Sequence, residues 1–253
     1  MPSSGVWKFH SHASCSAHDL SHRRLQRRGQ DDVRQEFLPK EVKCLRFLNA
    51  DEIARGLSPL KPSASAIQAG RLLLEQVDAC LRRRETFALE STLSGKTYIR
   101  LFQRARKSGY EIELHYLWLS SPAQAIARVR QRVKLGGHYV PATDIRRRFK
   151  RSLVHLLDDY LSLATRWTIW DSRALPVKRL AISSTDDIES VRKFDWRMKK
   201  NGHTSKRSEK VPAFVSRAER AFRRAAKNVR AQHRAMKLPL IVWEDGKVVE
   251  KPA

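Results

Sequence analysis

The segments CLRFLN (residues 44–49), TFALE (residues 86–90), IELHYLWL (residues 112–119) and VKRLAI (residues 177–182) decide the fold. Each is a short apolar run bounded by polar turns, the pattern of a strand buried in a sheet. Between them lie stretches at residues 63–84, 95–108, 122–135 and 143–164 whose apolar positions recur every three to four residues, as in helices with one buried face. Strand–helix–strand alternation predicts an α/β domain built on a parallel sheet with helices on both faces.

Moving outward, the texture changes on both sides of this block. Residues 1–35 show no helical or alternating apolar period, carry clustered histidines, and are expected to be aberrant and disordered. Residues 36–194 form the α/β domain. Residues 195–253 open with a polar, basic linker. An Ala/Arg-rich stretch at residues 213–236 follows, with Phe214, Ala218, Ala221, Phe222 and Ala225 on one helical face. Two β-prone runs around Asp245-Gly246 then signal a hairpin. The tail thus reads as a small helix-plus-hairpin appendage.

Composition bounds the function. Of 253 residues, 51 are Lys or Arg and 26 Asp or Glu, a formal charge of +25, and the 41% hydrophobic content is enough for a core. No run approaches the roughly 20 apolar residues of a membrane span, and the opening segment lacks the apolar region of a secretory signal. Cys15, Cys44 and Cys80 are odd in number and widely spaced, which argues against a disulfide framework and for a cytoplasmic protein. The positive charge suits nucleic acid and a phosphorylated substrate equally.

Three motifs carry chemistry. The first strand is followed by Asn49-Ala50-Asp51-Glu52. Asp51 at a strand's carboxyl end is placed to accept a proton from a hydroxyl, and Asn49 or Asp51 is equally placed to cap the next helix. The second strand ends in Glu90-Ser91-Thr92, then Leu93-Ser94-Gly95-Lys96, a carboxylate and hydroxyls at a strand-to-helix turn that serve as a cap or a substrate clamp. The third motif sets Arg128 and Arg132 one helical turn apart, then Gly136-Gly137 and Pro141, then Arg146-Arg147-Arg148. Folded back at the glycines, two arginine rows would converge as a lid on a phosphoryl group. Left apart, they are a solvated basic helix pair.

These motifs, NADEIARGLSP, FALESTLSG and RVRQRVKLGGHYVPATDIRRRFKRS, resemble the zeta-toxin-like P-loop kinases of bacterial toxin–antitoxin systems, over residues 36–193. The resemblance implies a P-loop-kinase-like sheet and transfer of the ATP γ-phosphoryl group, with Mg²⁺, to a small-molecule hydroxyl. It implies Asp51 as general base and Glu90, Ser91, Thr92 and Arg128 as acceptor-binding residues. Arg132 and Arg147, one of the three arginines at 146–148, would be lid arginines. Trp170-Asp171-Ser172 resembles the loop near the adenine, so Asp171 and Ser172 would bind nucleotide. An antitoxin partner follows from the same likeness. The tail resembles small basic proteins encoded beside such kinases, which leaves nucleic-acid binding or an antitoxin-like role as the alternative function.

The phosphate loop is missing. GxxxxGK[ST] does not occur, and Gly95-Lys96-Thr97 lies inside the acceptor motif without the upstream glycine. Immediately before the resemblance stands QRRGQDDVRQ (residues 26–35). Read from the second base of each codon, these ten residues permit Asn-Gly-Ala-Gly-Lys-Thr-Thr-Phe-Ala-Arg, a good phosphate loop. The opening is therefore read as out of frame, with the first, central strand of the sheet degraded. Its loss is expected to leave the two strands carrying Asp51 and Glu90 unpaired and the chain poorly folded, or folded without competent ATP binding. His10, His12, Cys15, His18 and His22 have zinc-ligand chemistry, but their spacing matches no closed pattern, and no metal site is assigned. The nucleotide sequence across codons 15–40 tests the frame reading. It is expected to spell Gly-Lys-Thr in the shifted frame, and codons that cannot do so would end the idea.

Overall fold

The computed structural model describes residues 4–10, 44, 46–134, 137, 139–173, 177–193, 213–245 and 247–253. In chain order the strands of the main sheet are β1 (Ser4–His10), β2 (Phe47–Leu48), β3 (Phe87–Ser91), β4 (Glu111–Trp118), β5 (Arg166–Asp171) and β6 (Lys178–Ile182). The helices are α1 (Ala50–Leu57), α2 (Ala66–Arg82), α3 (Ile99–Lys107), α4 (Pro122–Lys134), α5 (Ala142–His155), α6 (Ile188–Lys193) and α7 (Ala213–Ala235). A separate hairpin pairs β7 (Leu240–Glu244) with β8 (Lys247–Lys251). The α/β architecture is as expected, and all four predicted strands are present, β2 as only two residues.

The six-stranded sheet has the order β2-β3-β1-β4-β5-β6. β2 and β3 pair parallel, as do β4 and β5. β1 pairs antiparallel with both β3 and β4, so those two point the same way. β6 runs antiparallel along β5. Four of the six strands therefore share one direction, and the central strand opposes them.

That central strand corrects two expectations. The opening residues were expected to be disordered and the middle of the sheet unpaired. Instead, residues 4–10 fill the gap, with Gly5–Phe9 in register with Ser91–Phe87 on one side and Ser4–His10 with Leu117–Glu111 on the other. The gap lies between the strands of Glu90 and Trp118, not between those of Asp51 and Glu90, because β2 is the edge strand. The physical reason is a short alternation in VWKF. Trp7 and Phe9 are fully buried in the larger core, while Val6 and Lys8 alternate with them and Val6 packs with the opposite cluster. Phe9 stacks on Phe87 with centroids 4.4 Å apart, and Trp7 lies 4.5 Å from Phe102. The proposed phosphate-loop segment at residues 26–35 and the histidine cluster beyond His10 lie outside the described residues.

Helices cover both faces. On the first, Leu73 and Val77 of α2, Phe102 of α3, and Leu156 and Tyr160 of the π-helical turn Leu156–Tyr160 pack on Trp7, Phe87, Leu89, Leu114 and Ile169. On the second, Val215, Ala218, Ala221 and Phe222 of α7 pack with Ala88, Trp170 and Ile182. Small alanines let α7 lie close to the sheet, and Phe222 meets the Trp170 ring edge-on at 4.8 Å. The tail helix thus closes the sheet's second face and is part of the domain's core.

Beneath α7 the second face also buries polar groups. Lys8 stands opposite Glu113, and Glu113 accepts from Arg166 at 2.7 Å. Burial pulls the Lys8 amine below its ordinary range, with the Glu113 carboxylate opposing that shift. His115 is buried, and its Nδ1 lies 3.3 Å from the Trp170 Nε1, which donates to it. Burial lowers its pKa to about 4, against the opposing pull of Glu113.

Trp7→Ala and Phe222→Ala should each cost about 3–5 kcal/mol, read by urea denaturation as a lower midpoint in one cooperative transition. An unchanged midpoint would remove β1 or α7 from the core. His115 takes up its proton only near pH 4 when folded, but near pH 6.5 when unfolded. Its contribution to stability is therefore complete above pH 6.5 and lost as pH falls toward 4, about 3 kcal/mol in all. Denaturation between pH 7.5 and 4.5 should show this slope, and His115→Gln should flatten it.

Candidate active site at the carboxyl edge of the sheet

Because β2, β3, β4 and β5 run the same way, Asn49, Ser91, Trp118 and Asp171 end or follow their strands along one edge. This edge is where α/β sheets place ligands. Two clusters stand on it.

The first joins the Asp51 and Glu90 motifs. Asn49 has extended backbone (φ −144°), and its Oδ1 accepts from the Asp51 amide at 2.7 Å and the Glu52 amide at 3.3 Å. Asn49 is therefore the cap of α1, which leaves the Asp51 carboxylate available, half-buried in the helix's first turn where the dipole favours negative charge. The Asn49 Nδ2 donates to Glu90 Oε2 at 2.8 Å and ties the two strand ends together. Past Glu90, Ser91 Oγ accepts from the Leu93 amide at 3.2 Å, and the Thr92 and Ser94 hydroxyls are 3.0 Å apart. Leu93 is held at φ +53°, an unusual conformation for a branched residue. Its side chain is buried against Gly5 of β1, where an added Cβ would come within 3.1 Å of Leu93 and 3.0 Å of Leu114.

Sequence reasoning missed two tyrosines here. Tyr98 is pushed above its ordinary pKa by burial and by the nearby Asp51 charge. Tyr160 donates to the Gly95 carbonyl at 2.6 Å, and its hydroxyl is also shifted upward, mainly by burial. Lys96 donates to Asp159 at 3.2 Å, and His155 Nδ1 lies 2.9 Å from the same carboxylate. The loop after β3 is thereby tied to the π-helical turn. The only sequence signal for Tyr98 was its place just after the Ser-Gly-Lys-Thr run. Tyr160 gave none.

The second cluster unites Arg128 with Asp171 and Ser172. Arg128 donates through Nη1 to Ser172 Oγ at 3.3 Å and through Nη2 to the Ser172 carbonyl. Burial lowers its pKa to about 10, with the Asp171 carboxylate resisting. Asp171 itself is gripped by Arg173, whose Nε and Nη2 reach its two oxygens at 2.9 and 2.7 Å. The Arg173 guanidinium also lies 5.1 Å from the centroid of the Trp118 ring. Arg173 was missed by sequence reasoning, although its position two residues beyond Asp171 allows a local fork. Trp170 is wholly buried against His115 and Phe222, away from any ligand at the edge.

The arginine rows come together only in part. α4 and α5 do fold back on each other through Ala125, Ile126, Val129 and Ile145. The Gly137 amide donates to the Arg132 carbonyl at 2.9 Å, and an added Cβ would lie 2.5 Å from Arg132 Cγ and 2.8 Å from its carbonyl oxygen. Arg147, by contrast, is exposed and pairs with Asp144 of its own helix at 2.9 Å. Gly136 and His138 lie outside the described residues.

No family model matches the chain, and no solved structure matches it. It is similar to a protein of Haemophilus influenzae (strain ATCC 51907 / DSM 11121 / KW20 / Rd) described as an uncharacterized protein. The two are 29% identical over 102 residues, 40% of this chain and 73% of that one. That likeness brings no stated activity with it.

Gly137→Ala should displace Arg132 and loosen the end of α4. The expected outcome is faster amide exchange around residues 130–134 with the global melting midpoint little changed. Unchanged exchange would show that the Gly137–Arg132 contact constrains nothing.

Proposed function

We propose that the chain carries the acceptor-binding half of an ATP-dependent phosphotransferase of the zeta-toxin type, acting on a small-molecule hydroxyl, with its own phosphate-cradling half impaired. The observation that carries this reading is the Asn49–Glu90 hydrogen bond. It ties the cap of the helix that carries Asp51 to Glu90 at the end of the neighbouring strand. A hydroxyl bound by Glu90 and the neighbouring Ser and Thr hydroxyls would surrender its proton to an Asp51 oxygen. Arg128, held by Ser172, would lend positive charge at the next strand ends. Arg132 and Arg147 remain the lid arginines of this reading.

The described residues do not fit ATP phosphates. A phosphate loop needs a strand that ends at this edge and passes into a glycine-rich turn. The central strand begins here instead, and Gly5 is packed against Leu93 and Leu114. Mg²⁺ in such chemistry is bound largely through substrate phosphates and water, so its place depends on the nucleotide's, and no transfer step is derived through either. A cytoplasmic setting is part of the proposal and is supported by Cys44 and Cys80, both buried as free thiols. An antitoxin partner belongs to the same reading. No described helix is long and apolar enough to cross a membrane.

Calorimetry of the natural chain with a non-hydrolysable ATP analogue should give a Kd weaker than roughly 1 mM. A version with the reading frame restored before residue 36 should turn over ATP, and Asp51→Asn in that background should slow it by about 10²–10⁴-fold. Nanomolar binding by the natural chain would overturn the impairment. Equal turnover by the Asp51→Asn variant would overturn the role of Asp51.

A further inference from the structure

The outer face of α7 carries a row that the enzyme reading does not use. Arg220, Arg223, Lys227, Arg230 and Arg234 are all exposed, and Arg234 donates through Nε and Nη2 to the Ala253 oxygen at 3.2 and 3.1 Å. Their spacings of three, four, three and four residues place them within about 80° of arc, along about 21 Å of helix. The one carboxylate of α7, Glu219, borders the amino-terminal end of this row, one turn before Arg223, and is half-buried and bonded to Arg179 at 3.2 Å. The opposite face is fixed on the sheet through Val215, Ala218, Ala221 and Phe222. The row is therefore a rigid ridge of cations mounted on the core.

We propose that this ridge is a docking surface for the phosphodiester backbone of a nucleic-acid duplex. A duplex presents one negative charge per about 1.7 Å of axis, so about a dozen phosphate charges lie along the ridge's length. Evenly spaced cations, with no Asp or Glu in the sequence between Arg220 and Arg234, match that regular field. A lipid surface fits less well. Helices that lie on membranes insert their apolar face, and the apolar face of α7 is spent on the sheet. A protein partner also fits less well, because interface cores are rich in aromatic residues. The residues exposed beside the ridge, Asn228 and Ala231, are not aromatic.

The test measures anisotropy of fluorescein-labelled 20-base-pair mixed-sequence DNA and RNA duplexes, titrated with the full chain between 50 and 200 mM NaCl. With all five cations engaged, the slope of log K against log salt should approach about −4.5, a several-hundred-fold loss across that range. The triple variant Arg223→Gln, Lys227→Gln, Arg230→Gln should shrink the slope by about 3. Arg223→Lys with Arg230→Lys keeps the charges and should keep the slope. Arg71→Gln, Arg82→Gln, Arg100→Gln removes three exposed arginines from α2 and α3, and should leave most of it. Tighter binding to either duplex supports the proposal and identifies the backbone preferred. Three results overturn it: no duplex binding at 50 mM salt, equal losses from the ridge and control triples, or binding to phosphatidylserine vesicles but not to duplex.

Discussion

The structure depends on two hydrogen-bond ladders made by one strand. β3 and β4 are neighbours in sequence through α3 but not in the sheet, and each presents an open edge to the other. β1 fills the space and pairs with both. Without it, buried amide and carbonyl groups on two strands would lack partners, at about 1–3 kcal/mol each. A typical domain has only about 5–15 kcal/mol to lose. Trp7 and Phe9 hold the strand in place by filling the space among Phe87, Phe102 and Tyr160.

The direction of that strand has consequences for chemistry. A strand running with its neighbours would deliver its carboxyl end to the edge that holds Asp51, Glu90 and Asp171. β1 delivers its amino end instead, and Gly5 closes on Leu93. The same contact helps hold the turn after β3, with Leu93 in a left-handed conformation, and so supports the Ser91 and Thr92 hydroxyls. The strand that completes the sheet thus begins, rather than ends, at the carboxyl edge.

The second face shows how a charged tail joins a core. α7 is one of the most basic stretches of the chain, yet its alanine and phenylalanine positions seal the sheet over Lys8, Glu113 and His115. His233 and Gln131 both bond the Pro239 carbonyl, which links α7 and the approach to the hairpin with α4. The helix that bears Arg128 and Arg132 therefore rests on the carboxyl-terminal segment.

The sequence alone determined the α/β class, four strands, the principal helices and the two strand-end motifs. These are local properties, since apolar period and turn chemistry act over a few residues. Arg128, Asp171 and Ser172 were each legible as candidates, but their union was not, because the contact spans 44 residues. β5 was hidden because RWTIWD mixes charged ends with apolar residues that serve opposite faces. Tyr98 and Tyr160 became site residues only through burial beside Asp51 and Gly95. Only tertiary structure decided that residues 4–10 form the central strand, that it runs backwards, and that α7 covers the second face. Pairing and face burial link distant segments, and a short alternation such as VWKF acquires its meaning only when a gap of the right width awaits it.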